Sequence, residues 1–541
     1  MRALGRIPLF GLGILFCLVS TAGSALGQAE TRIKEPPGRF DGTGHIVTGD
    51  KLSASKYVKG TSIEGSWAVL PTPPLEIGNR RQLLMDGYVV EDLAGCRRVV
   101  HRPRRHPDNP LITGGASPDH RQTHVVSTPS VVYDRERGLY RMWANGYRMY
   151  RTAGQHFGLY FESRDGLTWT APDLKLHRIE GLSAPNIFFT QPGRSASIAV
   201  TELPAEWRRK GRYLLAYHSG ELGRNPATLQ MPGGGMEVRI ALSEDGIHFR
   251  DQEENPIFRG QSDCENQILY NPERKVFMLY RRPPINASRI RKIAYSESSD
   301  LVNWTQPAVI LRPDELDPSS FYGMTVARYE GLYLGFLENF YYKQPFDVES
   351  KPAKHMQIDI QLAWSRNGIH WERHPARPLF LETGPAGTYD WGMVFPPVGL
   401  IQREDRLDFY YVGREQLHVR MPGNSHICLA TLRRDGFVSI EAPQEGFLLT
   451  RPLKHPGGRL HINAKTSATG SIRVAVRSGD GELDGQWLPE WDYDRSRTFT
   501  GDSTDHVMVW NEMEDLESLS GKSIRLQFWL REAHLFSFWF E

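Results

Sequence analysis

Apolar residues along this chain come in short runs separated by turn formers. Examples are Ser130-Val131-Val132-Tyr133, Leu139-Tyr140-Arg141-Met142-Trp143, Tyr213-Leu214-Leu215-Ala216-Tyr217, Val276-Phe277-Met278-Leu279-Tyr280, Leu332-Tyr333-Leu334-Gly335-Phe336 and Leu407-Asp408-Phe409-Tyr410-Tyr411. Runs of this length, rich in aromatic and β-branched residues, predict strands, and no long segment carries the 3.6-residue period of a helix.

One phrase recurs between the runs. Ser163-Arg164-Asp165-Gly166-Leu167-Thr168-Trp169 returns as Ser243-Glu244-Asp245-Gly246-Ile247-His248-Phe249 and as Ser365-Arg366-Asn367-Gly368-Ile369-His370-Trp371. Looser echoes are Ser299-Asp300-Leu301-Val302-Asn303-Trp304 and Arg434-Asp435-Gly436-Phe437. Asp-Gly and Asn-Gly favour tight turns because both residues tolerate positive φ. The spacing fits one four-stranded sheet per copy, the unit of a β-propeller. Five such units are predicted, at about 125–170, 195–250, 262–305, 318–372 and 390–440.

Beyond Pro443 the texture changes. Leu460-His461-Ile462-Asn463-Ala464, Ile472-Arg473-Val474-Ala475-Val476 and Ile524-Arg525-Leu526-Gln527-Phe528-Trp529-Leu530 alternate strictly, as strands with one buried face do. The expected fold class is all-β: a five-bladed β-propeller over 76–442 followed by a C-terminal β-sandwich over 446–541. Residues 28–75 show little periodicity and read as an extended lead-in. Residues 1–27 carry Arg2 and Arg6, an apolar run from Ile7 to Val19 and small residues to Gly27, the layout of a signal peptide. The expected location is therefore secreted or periplasmic, and the apolar run is too short for a membrane span.

Composition narrows the function. A net charge of +2 over 541 residues argues against nucleic acid as a partner. Cys96, Cys264 and Cys428 are scattered and odd in number, so neither a disulfide framework nor a zinc site is expected. No cofactor and no metal is implied.

In a propeller the innermost strands converge on one axis, so residues near their starts form a cluster. The candidates are His124 in the first unit, Asp263 and Glu265 in the third, Asp317 and Tyr322 in the fourth, and Glu382, Asp390 and Trp391 in the fifth. Carboxylates among aromatic rings are what glycoside cleavage requires: one acid to protonate the leaving oxygen, one base or nucleophile. Asp390 is the expected base and Glu265 the expected acid, with Asp263 or Asp317 tuning the pair. His124, Tyr322, Trp391, Arg281, Glu382 and His418 are the expected substrate contacts. Arg281 and Arg282 are also the nearest material for an acidic substrate or a phosphate.

Five blades, the Ser-x-Asp-Gly-x-x-Trp phrase, the opening Leu84-Met85-Asp86-Gly87-Tyr88-Val89-Val90 followed by Asn109-Pro110-Leu111-Ile112, and a trailing sandwich resemble the secreted five-bladed propeller glycoside hydrolases of families 32, 43 and 130. The order of propeller then sandwich is most similar to family 32. The resemblance implies a carbohydrate substrate and a hydrolase acting on poly- or oligosaccharides. The Trp-Met-Asn-Asp-Pro-Asn-Gly and Arg-Asp-Pro phrases of family 32 are absent, and Thr128-Pro129 stands where family 43 carries Asp-Pro. A non-catalytic carbohydrate-binding propeller and a phosphorylase- or sialidase-like enzyme are the alternatives.

Overall fold

A computed structural model describes residues 73–541 apart from 115–123, 151–152, 180–181, 183, 191–197, 220–236, 260–265, 284–289, 319, 343–355, 419–423 and 480–485, together with three short strands nearer the N-terminus. The signal-peptide reading, Asp263, Cys264, Glu265 and the side chain of His124 fall outside the described residues. Residues 1–70 and 71–541 are separate compact units. In the first, Arg39–Phe40, Ile46–Gly49 and Trp67–Val69 pair as a small antiparallel sheet, where the sequence predicts no strands.

The second unit contains the five blades. Blade one is His124–Asp134, Leu139–Tyr150, Ala153–Ser163 and Ile187–Thr190; blade two is Ile198–Glu202, Tyr213–Ser219, Glu237–Ser243 and Arg250–Asp251. Blade three is Gln267–Asn271, Val276–Arg281, Ile293–Ser298 and Ala308–Leu311. Blade four is built on Ser320–Tyr329, Leu332–Phe340 and Ile358–Ser365, and blade five on Met393–Phe395, Arg406–Arg414 and Ser425–Arg433. The first strand of each blade faces the axis, and these strands are stitched to one another. Ser130 Oγ accepts from Val200 N at 2.9 Å, Thr201 Oγ1 donates to Ile268 O at 3.0 Å, and Gln267 clasps both the N–H and C=O of Val326 at 2.7 Å. Between blades four and five the link runs from the third strand, where Ile358 pairs with Met393, and Val398 pairs with Ser130, which completes the ring.

The outer strand of blade five comes from far upstream. Arg104–Arg105 and Ile112–Thr113 pair with Ser425–Arg433, so a segment preceding blade one closes the last blade. Such closure removes an unpaired edge and ties the ends of the ring together.

The recurring phrase proves to be a latch between blades. In blade one, Ser163 Oγ accepts from Gly166 N at 2.9 Å, and Asp165 Oδ1 accepts from the N–H groups of Leu167 and Thr168 at 2.8 Å. The turn leaves the Gly166 carbonyl pointing at blade five, where Tyr410 Oη donates to it at 2.8 Å. Trp143 of blade one donates likewise to Gly246 of blade two at 2.6 Å, and Tyr280 of blade three to Gly368 of blade four at 2.8 Å. In blade three Leu301 takes the glycine position at φ 69°, with Ser298 as the serine of the motif.

The C-terminal domain rests on two long antiparallel strands, Leu460–Ser478 and Ser523–Phe540, with Val438–Thr450 beside the second and Asp502–Val507 beside the first. Bulges at Asn463/Ala464 and Thr466/Ser471 bend the sheet over a core that includes Leu448, Trp510, Phe528 and Phe538. Two expected boundaries move. Leu75–Glu76, Gln82–Leu83, Val90–Ala94 and Arg97–Val100 pair into this sheet, so residues 75–100 belong with the C-terminal domain and not with the propeller. Val438–Thr450 is one strand, paired on both sides at 440–441 and 447–449 with a bulge at Pro443 and Gln444 between them, so Pro443–Gly446 lies within the sheet and is no linker. The turn of blade five docks the two domains: buried Asp435, at φ 58°, accepts from Tyr329 Oη at 2.6 Å, Ser537 Oγ at 2.6 Å and Arg81 Nη1 at 3.0 Å.

Candidate active site

The ends of the propeller axis differ in chemistry. Where the first strands finish, a cavity of about 440 Å³ is lined largely by aliphatic side chains such as Val131, Val200, Leu269 and Val326, with Arg135, Glu202 and Arg328 exposed at its margin. Where they begin, charged and aromatic groups from several blades converge.

Tyr322 stands at the centre of that second end. It lies in the first strand of blade four, with its ring edge-on to Phe340 and Phe395 at centroid separations of 5.4 and 5.9 Å. The Arg282 guanidinium sits 5.1 Å from the ring centroid and its Nη1 donates to the Tyr322 carbonyl at 3.2 Å. Arg291 approaches the same ring at 5.2 Å and Phe340 at 4.9 Å. His418, following the second strand of blade five, has Nε2 3.2 Å from Tyr322 Oη. Both arginines come from blade three: Arg282 directly after Val276–Arg281, Arg291 just before Ile293–Ser298.

The electrostatics tie further groups to this cluster. Burial pushes the Arg282 guanidinium down to about 10, and the like charge of Arg291 adds to that, while Tyr322 and Glu338 oppose it. Arg282 is therefore still a cation at neutral pH. Burial carries His418 down to about 3, helped by Arg291, Arg414 and Arg282. Burial likewise takes His218 to about 3, with His156 and Arg282 contributing. Both imidazoles are neutral in the working range. Glu338, in Leu332–Phe340, is fully buried, as is Asn266 at the mouth of blade three. The assembled group is three guanidinium charges, one carboxylate, two neutral histidines and an aromatic face. Perturbed groups so arranged mark functional sites.

Of the residues expected at the site, Tyr322 and His418 are brought together there. Asp390 is not. Its carboxylate is 1% exposed and is held by Arg105 Nε at 2.7 Å and Tyr411 Oη at 2.9 Å, so it braces the outer side of blade five. Asp317 is likewise consumed: Arg373 Nη1 donates to it at 2.6 Å and Asp314 N at 2.9 Å. Glu382 pairs with Arg102 at 2.8 Å. Trp391 accepts at its carbonyl from Gln357 Nε2 at 2.6 Å, and the Arg281 guanidinium lies 4.8 Å from the Phe258 ring centroid. Asp390 and Asp317, expected as catalytic carboxylates, and Glu382, expected as a substrate contact, each have an arginine partner. Arg291, Glu338 and Arg414 were missed by the sequence reading. For Glu338 and Arg414 the signal was a charge at the end of an otherwise apolar run, as in Leu334-Gly335-Phe336-Leu337-Glu338; Arg291, in Ser288-Arg289-Ile290-Arg291-Lys292, carries no such signal. Among the described residues no group of His, Cys, Asp or Glu is arranged to hold a metal ion, and Cys96 and Cys428 are free thiols.

No protein-family model matches the chain, and no curated protein matches it. Solved structures that are similar include a β-1,2-mannobiose phosphorylase from Listeria innocua, with 14% identity over 62% of this chain and 97% of that one and a TM-score of 0.43. A glycosyl hydrolase from Bacteroides ovatus shares 11% identity over 65% and 97%, TM-score 0.43. A family 32 β-fructofuranosidase from Bombyx mori shares 11% identity over 80% and 94%, TM-score 0.41.

Proposed function

We propose that this chain is a carbohydrate-active enzyme that cleaves glycosidic bonds in an acidic glycan at the basic end of its propeller axis. The observation that carries the reading is the approach of Arg282 and Arg291 to the Tyr322 ring, with Glu338 acting on Arg282 and Arg414 on the neighbouring His418. Guanidinium groups suit a uronate or sulfate by charge and by paired N–H geometry. An aromatic face beside them suits the C–H face of a sugar ring. Glu265, directly before buried Asn266, is the proposed proton donor to the leaving oxygen, and Glu338 the second carboxylate. The leader-like residues 1–27 support an enzyme that meets its polymer outside the cell or in the periplasm.

The test is release of reducing ends from matched acidic and neutral oligosaccharides, with and without inorganic phosphate. Hydrolysis of an acidic substrate, with KM raised at least tenfold by Arg282→Gln, supports the reading. Turnover that needs phosphate and releases a sugar 1-phosphate assigns the same cations to a phosphate co-substrate. Binding without turnover makes the propeller a lectin and ends the enzymatic reading.

A further inference from the structure

We propose that the C-terminal sandwich carries a second glycan-binding site, for an acidic polysaccharide chain, independent of the propeller. Its wall is the outward face of Val438–Thr450, Leu460–Ser478 and Ser523–Phe540, where Phe447 and Arg473 both pair with Trp529 across the sheet. A cleft of about 440 Å³ opens there, floored by Trp529 and bounded by Ser471, Arg473, Tyr493, Glu445 and Arg531.

Two further rings stand over this floor. Trp487 stacks on Trp529 with centroids 5.7 Å apart and planes 15° from parallel, and Tyr493 meets it edge-on at 4.8 Å. Trp487 is 44% exposed and Tyr493 39% exposed, among the few large apolar side chains the surface leaves uncovered. A single exposed aromatic is ordinary, but two exposed rings set against the same half-buried Trp529 at a polar-edged cleft form a continuous aromatic surface. Packing alone would bury the outer two against the sheet.

Cations hold the rings in place and set the sign of the site. The Arg477 guanidinium lies 4.1 Å from the Trp487 centroid, and Arg473 lies 5.0 Å from that of Tyr493. Arg531 completes the set beside Glu445, the one carboxylate at the cleft, with which it is 3.8 Å apart in an exposed and therefore weak pair. A pyranose ring offers C–H faces to aromatic planes and hydroxyls to Ser471 and Glu445, while a uronate or sulfate answers the excess of guanidinium charge. The cleft is open along one side of the sheet, which suits a chain and not a single buried sugar.

Affinity electrophoresis in native gels containing polygalacturonate, alginate, λ-carrageenan or neutral galactan tests this directly. The parent protein is expected to be retarded by at least one acidic polymer and not by galactan. A Trp487→Ala/Tyr493→Ala variant with unchanged melting temperature is expected to lose at least tenfold of that affinity, whereas Trp487→Phe keeps most of it. Arg282→Gln, at the propeller axis, is expected to remain retarded, which separates this site from the proposed active site. Should the double variant unfold, Arg473→Ser serves in its place, with the same expected loss. No retardation by any acidic polymer, or equal retardation of parent and cleft variants, overturns the proposal.

Discussion

Asp390 is locked by Arg105 and Tyr411, so Asp390→Asn is expected to cost roughly 2–3 kcal/mol by leaving the Arg105 charge uncompensated, the partial exposure of Arg105 softening the loss. Urea denaturation measures it; a catalytic role would instead leave stability intact and remove turnover. Glu338→Gln and Glu265→Gln are expected to fold normally and to lose at least about 10²-fold of hydrolysis of the natural glycan. A nitrophenyl leaving group needs little protonation, so it should rescue Glu265→Gln and not Glu338→Gln. Rescue of both, or of neither, would remove the assignment of acid to Glu265. The histidines add a pH dependence. In the unfolded chain His418 and His218 take a proton near 6.5, whereas in the folded protein burial holds both near 3. The unfolded state thus binds more protons between those values, and stability is complete above about pH 6.5 and declines as pH falls toward 3. His218→Gln should flatten the fall in melting temperature between pH 6.5 and 4; an unchanged slope would place the acid sensitivity elsewhere.

At the scale of elements, the turn phrase was legible as a turn but not as a latch. Ser, Asp and Gly announce the local hydrogen bonds, since each acts within a few residues. The aromatic donor comes from another blade, as Tyr410 does for Gly166 across 244 residues, and no local pattern records that partnership. The consequence is measurable. A Cβ at position 166 would lie 2.5 Å from Tyr410 Oη, on a residue already at φ 80°. Gly166→Val should therefore destabilise the protein by roughly 1–3 kcal/mol through backbone strain and the displaced hydroxyl together. Tyr410→Phe keeps the ring and removes only the bond, for about 1 kcal/mol. If the double variant loses the sum of the two, turn and tyrosine act independently and the latch is not a unit. Short edge strands were illegible for a related reason: Arg104–Arg105 has no alternation to read, because only its backbone is needed by blade five.

The unit 71–541 is tied together by its first strands, which the alternation of the long C-terminal strands could not reveal. Strand number and blade order followed from the repeat, whereas the chain crossing from Leu75–Val100 into the sandwich and then to the outside of blade five is a long-range pairing with no sequence period. The candidate site was half legible for the same reason: Tyr322 and His418 sit where the topology predicts, but which carboxylates face the axis depends on arginines donated by distant segments. Two truncations separate the contributions of the N-terminal segment. A chain starting at residue 73 keeps every strand that pairs within the unit 71–541 and should retain its cooperative melting transition. A chain starting at 115 loses the strands that cover Val438–Thr450 on one side and those that cover Ser425–Arg433. It leaves two exposed edges and an Asp435 without Arg81, and should aggregate or melt without cooperativity. Limited proteolysis gives the complementary reading: because the strand is paired on both sides at 440–441 and 447–449, cleavage within those stretches should be absent from the full chain and appear in the shorter one. Early cleavage there in the full chain would mean that propeller and sandwich are joined by a free linker after all, and that the N-terminal strands do not bind them.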